Sequence, residues 1–157
     1  MSEIVLTLDD PFRPEALALA DEFWELLGVL YGEEGENQLF PSQISGEGCA
    51  FILVWQDGKA VGCGAVRPLG DDPTGETGEL KRVFVTASAR RQGISRLLMA
   101  RLQEEARRLG YKRLCLETGT PQFEAMALYE SDGWHRIATY GEYANDPLSV
   151  CYGKELA

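Results

Sequence analysis

The sequence predicts one α/β (α+β) domain over residues 1–157, a mixed and mostly antiparallel sheet with a central strand–helix–strand crossover flanked by helices. Three observations predict it. Residues 49–56 and 59–68 read as two strands around Asp57-Gly58, a strong hairpin signal. Residues 79–117 read as strand, long amphipathic helix and short apolar strand, the pattern of a crossover. Residues 134–140 and 148–154 read as two further strands that close the sheet.

Each element has its own local reason. Residues 3–8 alternate Ile4, Leu6 and Leu8 against Glu3, Val5 and Thr7, a first strand. Pro14 suits the first turn of a helix, where a missing N–H costs little. Leu17, Ala20, Trp24, Leu27 and Tyr31 then follow helical spacing and mark its expected core stripe. Residues 32–48 are polar and glycine-rich, with room for a short helix around 38–45. The stretch 70–78 holds three glycines, a proline and acids, so it is expected as an exposed loop. After Gly93, the residues Ile94, Leu97, Leu98, Leu102, Ala106 and Leu109 fall on one helical face. Arg101–Glu105 and Glu104–Arg108 form i,i+4 pairs expected on the outer face, and Gly110 is a C-terminal stop. Residues 113–117 form a short buried strand, and 123–132 a shorter helix ended by Gly133.

Charge is distributed unevenly. The chain has 15 basic and 25 acidic residues, a net charge of −10. Yet Lys81, Arg82, Arg90, Arg91, Arg96 and Arg101 fall in the stretch 81–103, which contains no Asp or Glu. An acidic protein with one basic island has a site for an anion there. The island coincides with the strand-to-helix junction. A helix N-terminus presents unpaired N–H groups and partial positive charge. Glycine lets an anion approach them closely, so this junction is a device for holding a pyrophosphate. The competing reading is a solvated basic helix face.

These residues carry a family resemblance. Arg90-x-x-Gly93-x-Ser95 resembles the acetyl-CoA signature of the GNAT superfamily of N-acyltransferases, Gln/Arg-x-x-Gly-x-Gly/Ala. Ala125-Met126-Ala127-Leu128-Tyr129-Glu130-x-x-Gly133-Trp134 resembles that family's second motif, Ala-x-x-Leu-Tyr-Glu-x-x-Gly-Phe. The order and spacing of the two motifs are also similar, over nearly the whole chain. The resemblance implies a sheet that splays open between the motif strand and the strand at Leu114. It implies acetyl-CoA as cosubstrate, with pyrophosphate on the backbone of Gln92, Gly93, Ile94, Ser95 and Arg96, flanked by Arg90 and Arg91. It implies a pantetheine arm running along Val83, Phe84 and Val85, with Gln122 and Ala125 at the second motif. Ser95 stands where the family has Gly or Ala, and Gln122 where it often has Asn.

The same resemblance implies direct transfer of an acetyl group to a primary amine of a small molecule or peptide. Glu79 is the first candidate for the base that deprotonates the amine, and Glu117 the second. The alternative for Glu79 is a structural carboxylate paired with Lys81 or Arg82. Tyr129 is the candidate acid for the leaving thiolate, since a phenol with a pKa near ~10 holds its proton at neutral pH. On helical spacing alone Tyr129 would read as a core residue. A different class of function, a non-catalytic acyl-CoA-binding regulatory module, needs the basic loop but no acid or base.

Other classes are poorly supported. No apolar run reaches the ~20 residues of a membrane span, and the N-terminus has no secretory pattern, so a cytoplasmic protein is expected. Cys49, Cys63, Cys115 and Cys151 are scattered and read as buried reduced thiols. With His135 as the one histidine, no metal site is expected. Net charge argues against nucleic acid. No nucleophile elbow or Walker motif is present. Homodimerisation is possible, on family habit and on Trp134, Tyr140, Tyr143 and Tyr152. The segment 140–151 is expected to wall the acceptor site. Glu33, Glu34, Glu36, Glu47, Glu142 and Asp146 would frame that site and favour a neutral or cationic amine.

Overall fold

The structure is a computed structural model that describes residues 2–32 and 39–156. Seven strands form one sheet in the order β1-β2-β3-β4-β5-β7-β6. They are β1 (Ile4–Leu8), β2 (Ala50–Gln56), β3 (Lys59–Pro68), β4 (Thr77–Val85), β5 (Arg113–Gly119), β6 (His135–Ile137) and β7 (Ser149–Glu155). The helices are α1 (Pro14–Tyr31), α2 (Ile94–Arg108) and α3 (Phe123–Ser131). All pairings are antiparallel except β4 with β5, where α2 makes the crossover.

Local chemistry accounts for most boundaries. Asp57 and Gly58 both take positive φ, 51° and 82°, as a tight two-residue hairpin turn requires. Pro14 opens α1. Strand β4 begins at Thr77, so the loop expected over 70–78 is shorter, and Thr77 and Gly78 are buried between β3 and β5. Strand β6 ends at Ile137, well short of the expected 140. The segment beyond it leaves the sheet and makes a short 3-10 turn at Gly141–Tyr143. Of the helix expected around 38–45, the described part is a 3-10 turn at Pro41–Ile44; Gln38 lies outside the described residues.

Two apolar layers clamp the sheet. Leu98, Met99, Leu102 and Ala106 of α2 pack on Ile52, Val54, Val66 and Leu114, and Tyr129 of α3 joins this layer. A buried leucine contributes about 1.5–3 kcal/mol, so this face is the main source of stability. Leu97 and Leu109, expected with it, are exposed. Glu105 is the reverse case: it is buried, with Arg101 at 2.8 Å and Arg108 at 3.0 Å closing over it.

On the opposite face, Ala16 and Leu19 of α1 pack on Phe51, Leu53, Cys63, Ala65 and Phe84, with Phe23 and Leu26 extending the stripe. This core stripe is offset by one residue from the expected one, which leaves Ala20, Trp24, Leu27 and Tyr31 turned towards a cleft. Trp134, Tyr143 and Tyr152 are buried within the chain and Tyr140 is half-buried, so three of the four aromatics behind the expected homodimer are used inside the fold.

The sheet splits at its centre. Strand β4 pairs with β5 only over Thr77–Glu79 against Arg113–Cys115. Beyond Glu79 the two strands diverge. The β5-facing backbone of the segment from Leu80 to Val85 has no strand partner among the described residues. Within the gap, β4 carries a bulge: Ala65 pairs with Lys81 and Cys63 with Phe84, and Arg82 takes φ 55°. A bulge re-aims side chains. Lys81 reaches Tyr143, and Arg82 reaches the carbonyl of Leu39, so both side chains lie on the α1 side of the sheet.

Candidate active site

Two clefts meet at the splay. The first, of about 490 Å³, is lined by Val83, Phe84, Val85, Arg90, Arg91, Gly93, Ile94, Ser95, Arg96, Gln122 and Ala125, together with Phe23, Leu128 and Tyr129. Of the residues expected to hold acetyl-CoA, only Gln92 is missing from its walls. The Gln92 side-chain oxygen instead accepts a 2.7 Å hydrogen bond from Gln56 Nε2, which ties the loop to β2.

The floor of this cleft suits a pyrophosphate. Gly93 caps α2 with φ 77°, and a Cβ built there would meet nothing within 4 Å. The space above the helix N-terminus is therefore open, and the first-turn N–H groups are not covered by a capping side chain. Arg90 is not a free cation. Its Nε donates 3.0 Å to the carbonyl of Val85, and its guanidinium lies over the Phe84 ring, so it fixes the loop against β4. Arg96 donates to Ser131, linking α2 to α3. The unpartnered edge of β4 continues from this floor and could pair with an extended chain. These features fit acetyl-CoA.

The second cleft, of about 470 Å³, opens on the α1 side and shares Phe23, Val83, Gln122 and Tyr129 with the first. Its walls differ in character. Ala20, Trp24, Leu27, Tyr31, Leu39 and Leu148 make an apolar and aromatic side. Lys81 and Arg82 of β4 face Glu117 and Thr118 of β5, with Ser149 and Asp146 beyond.

Glu117 is the carboxylate in this cleft. Ser149 on the neighbouring strand donates to its Oε2 at 2.8 Å. Burial raises its pKa from 4.5 to about 7, aided by Asp146 and Glu79 and opposed by the Ser149 hydroxyl and Lys81. Tyr129 sits where the clefts join. It is buried against Trp134 and Tyr152, and burial pushes its hydroxyl above the ordinary pKa, so it carries its proton at neutral pH.

Glu79, the first candidate for the base, is placed differently. It lines a separate neighbouring cleft of about 440 Å³ and not the one with Tyr129. Its Oε1 accepts from Arg67 at 3.0 Å and its Oε2 from the Tyr140 hydroxyl at 2.9 Å, with Lys81 at 4.0 Å. Its main partners are thus Arg67 and Tyr140, where sequence suggested Lys81 or Arg82. Gln122, which lines both clefts, donates its amide to Tyr31 at 3.0 Å.

The segment after β6 reaches the second cleft through Tyr143 and Asp146. Of the acids expected to frame it, Glu142 lines the neighbouring cleft, Glu47 is exposed away from both, and Glu33, Glu34 and Glu36 lie outside the described residues. Thr118 escaped sequence reasoning altogether, and Ser149 and Tyr140 entered it only within the segment 140–151 or among the aromatics, not as partners of Glu117 and Glu79. Only the alternation of β5 and β7 could have signalled the first two. Among the described residues no group of three or more acidic, histidine or cysteine side chains could hold a metal, and no helix is long and apolar enough to cross a membrane.

This fold and this pair of clefts define an acyl-CoA-dependent acyltransferase, and comparison with known proteins agrees. The Acetyltransferase (GNAT) family profile matches residues 16–134, and the chain belongs to that family. It is 34% identical over 156 residues, 99% of this chain and 100% of the relative, to the IAA acetyltransferase of Azospirillum brasilense. It is 31% identical to the uncharacterized N-acetyltransferase YsnE of Bacillus subtilis, over 96% of this chain and 99% of that one. An acyl-CoA N-acyltransferase structure from Klebsiella pneumoniae superposes with TM-score 0.80 at 30% identity, covering 98% of both chains. YncA from Salmonella typhimurium, solved with acetyl-CoA, shares the fold at TM-score 0.72 and 15% identity, over 99% of this chain and 95% of that one.

Proposed function

We propose that this acetyltransferase binds acetyl-CoA in the cleft between β4 and α3 and transfers its acetyl group directly to a primary amine held in the cleft beside Glu117. The observation that carries this reading is the junction at Tyr129, a buried phenol that lines both clefts at once. Acetyl-CoA supplies an activated thioester. The remaining chemistry falls to side chains of this chain. The α2 N-terminus and Gly93 hold the diphosphate, with Arg91 and Arg96 adding charge and Arg90 positioning the loop. The exposed backbone from Val83 to Val85 aligns the arm, and Gln122 and Ala125 border it.

Glu117 takes the proton from the amine. Burial raises its pKa to about 7, near the neutral pH at which a general base works best. Burial of the site strengthens this role, because the carboxylate is not levelled by water. As the C–N bond forms and the C–S bond breaks, the sulfur takes a proton from the Tyr129 hydroxyl, and the second proton shed by the acylated nitrogen restores the phenol. An ammonium group and acetyl-CoA thus give an amide, free CoA and one proton. Glu79 is assigned as a positioning group that holds Tyr140 and the segment behind Tyr143. A cleft of about 470 Å³ suits a small molecule or a single residue of a peptide.

Thiol release from acetyl-CoA, measured against a panel of amines, tests the proposal. Amine-dependent release that falls in Glu117→Gln and Tyr129→Phe is expected. Tight acetyl-CoA binding with no amine-dependent release from any member would favour the regulatory module instead.

A further inference from the structure

Among the described residues, two buried side-chain polar atoms have no hydrogen-bond partner in the protein: Arg82 Nη1 and Thr118 Oγ1. Both residues line the acceptor cleft. Buried polar atoms are nearly always paired, so two exceptions at one cleft point to a ligand. They also stand on opposite walls. Arg82 is a donor on β4, next to Lys81. Lys81 Nζ meets the neutral Tyr143 hydroxyl at 2.5 Å and reaches Glu79 only at 4.0 Å, so its charge is incompletely balanced. The Thr118 hydroxyl, which can donate or accept, belongs to β5, as does Glu117, and Asp146 also lines the cleft.

The cleft is therefore cationic on one wall and anionic on the other, and its remaining side is apolar: Trp24, Leu27, Leu39 and Leu148. Taken with the transfer reaction proposed above, on which it rests, this arrangement names an acceptor class. We infer that the acceptor is a free amino acid with a bulky apolar side chain. Its carboxylate lies on Lys81 and Arg82, its amine on Glu117, and its side chain on the α1 wall. The zwitterion matches both walls at once. A simple amine leaves Arg82 Nη1 unpaired, with Asp21 the nearby acid outside the cleft lining, and an acidic side chain would be stripped of water against the apolar wall. The β4 bulge is what makes this possible, because it brings successive residues, Lys81 and Arg82, to the same cleft.

Matched pairs test the inference: phenylalanine against phenethylamine and tryptophan against tryptamine, with glutamate as the acidic control, each assayed for thiol release with acetyl-CoA. Charged hydrogen bonds to the carboxylate predict kcat/KM for the amino acid roughly 10–100-fold above its amine. Lys81→Met and Arg82→Met should move that ratio towards one, largely through KM of the amino acid; a purely structural loss would lower both substrates alike and leave the ratio. If wild-type enzyme turns over the amines as well as or better than the amino acids, or prefers glutamate, the acceptor assignment falls while acetyl transfer stands. If acetyl-CoA binds but no member of the panel releases thiol, the assignment falls together with the catalytic roles of Glu117 and Tyr129. The wild-type ratio is decisive even if Arg82→Met fails to fold.

Discussion

The Tyr140 hydroxyl donates to Glu79 Oε2 across 2.9 Å, while Arg67 holds the other oxygen of the same carboxylate. On the reading proposed above, this relationship makes Glu79 a fixed strut and leaves the base to Glu117. Glu79 occupies the motif strand, at its last residue before the splay, but both its oxygens are engaged away from the junction of the clefts. Tyr140→Phe should therefore cost stability and spare chemistry. Losing a hydrogen bond to a buried carboxylate costs about 1.5–3 kcal/mol. Denaturant unfolding should show that loss, with kcat changed only slightly.

Tyr129→Phe should keep acetyl-CoA affinity and lower kcat by about 10²–10⁴, the contribution of a positioned acid. The ring stays, so its packing on Trp134 and Tyr152 stays. Single-turnover thiol release, alongside calorimetry for acetyl-CoA, separates the two effects. Unchanged turnover would remove the hydroxyl from the chemistry.

Gly93→Val should abolish measurable acetyl-CoA binding in calorimetry. The residue takes φ 77°, and its missing side chain leaves the space in front of α2 open. Gly93→Ala is the milder control: its Cβ meets no protein atom, so the fold should survive with about 1 kcal/mol of backbone strain. Both variants should bind more weakly than wild type, Val the more so.

Glu117 makes a signed prediction for stability. Its pKa is about 7 in the folded protein against 4.5 ordinarily. Between those values the folded state binds more protons than the unfolded one. Wild-type stability therefore falls as pH rises through this window and the buried carboxylate is forced to ionise. Glu117→Gln lacks that penalty. Its Tm relative to wild type should be higher at pH 8 than at pH 4, read by calorimetry at both.

Much of this was legible in the sequence, for identifiable reasons. The hairpin turn, the α2 cap and the strand–helix–strand crossover depend on local chemistry: Asp57-Gly58, Gly93, and alternation giving way to helical spacing. The cleft proposed for acetyl-CoA was legible because its lining gathers at one strand-to-helix junction. The acceptor side was not. Trp24, Leu27 and Tyr31 look like core in a helical pattern, since periodicity cannot separate a buried face from a cleft wall. Glu79 and Glu117 look alike in sequence. What separates them is tertiary: Arg67 comes from β3, Tyr140 from beyond β6, and Ser149 from β7. The lengths of β4 and β6 were misjudged because sheet partners, not propensity, set where a strand ends.

The base assignment is the centre of the account, and the pH dependence of kcat/KM tests it most directly in wild type, Glu117→Gln and Glu79→Gln. Ser149 hydrogen-bonds the Glu117 carboxylate, and the charges of Lys81, Asp146 and Glu79 act on it. With Glu117 as base, wild-type kcat/KM rises with pH through about 7 as the carboxylate loses its proton. Glu117→Gln should lose about 10²–10⁴ in rate together with that limb, and Glu79→Gln should keep the limb. A Glu117→Gln enzyme that retains both rate and limb, while Glu79→Gln loses them, would contradict the account.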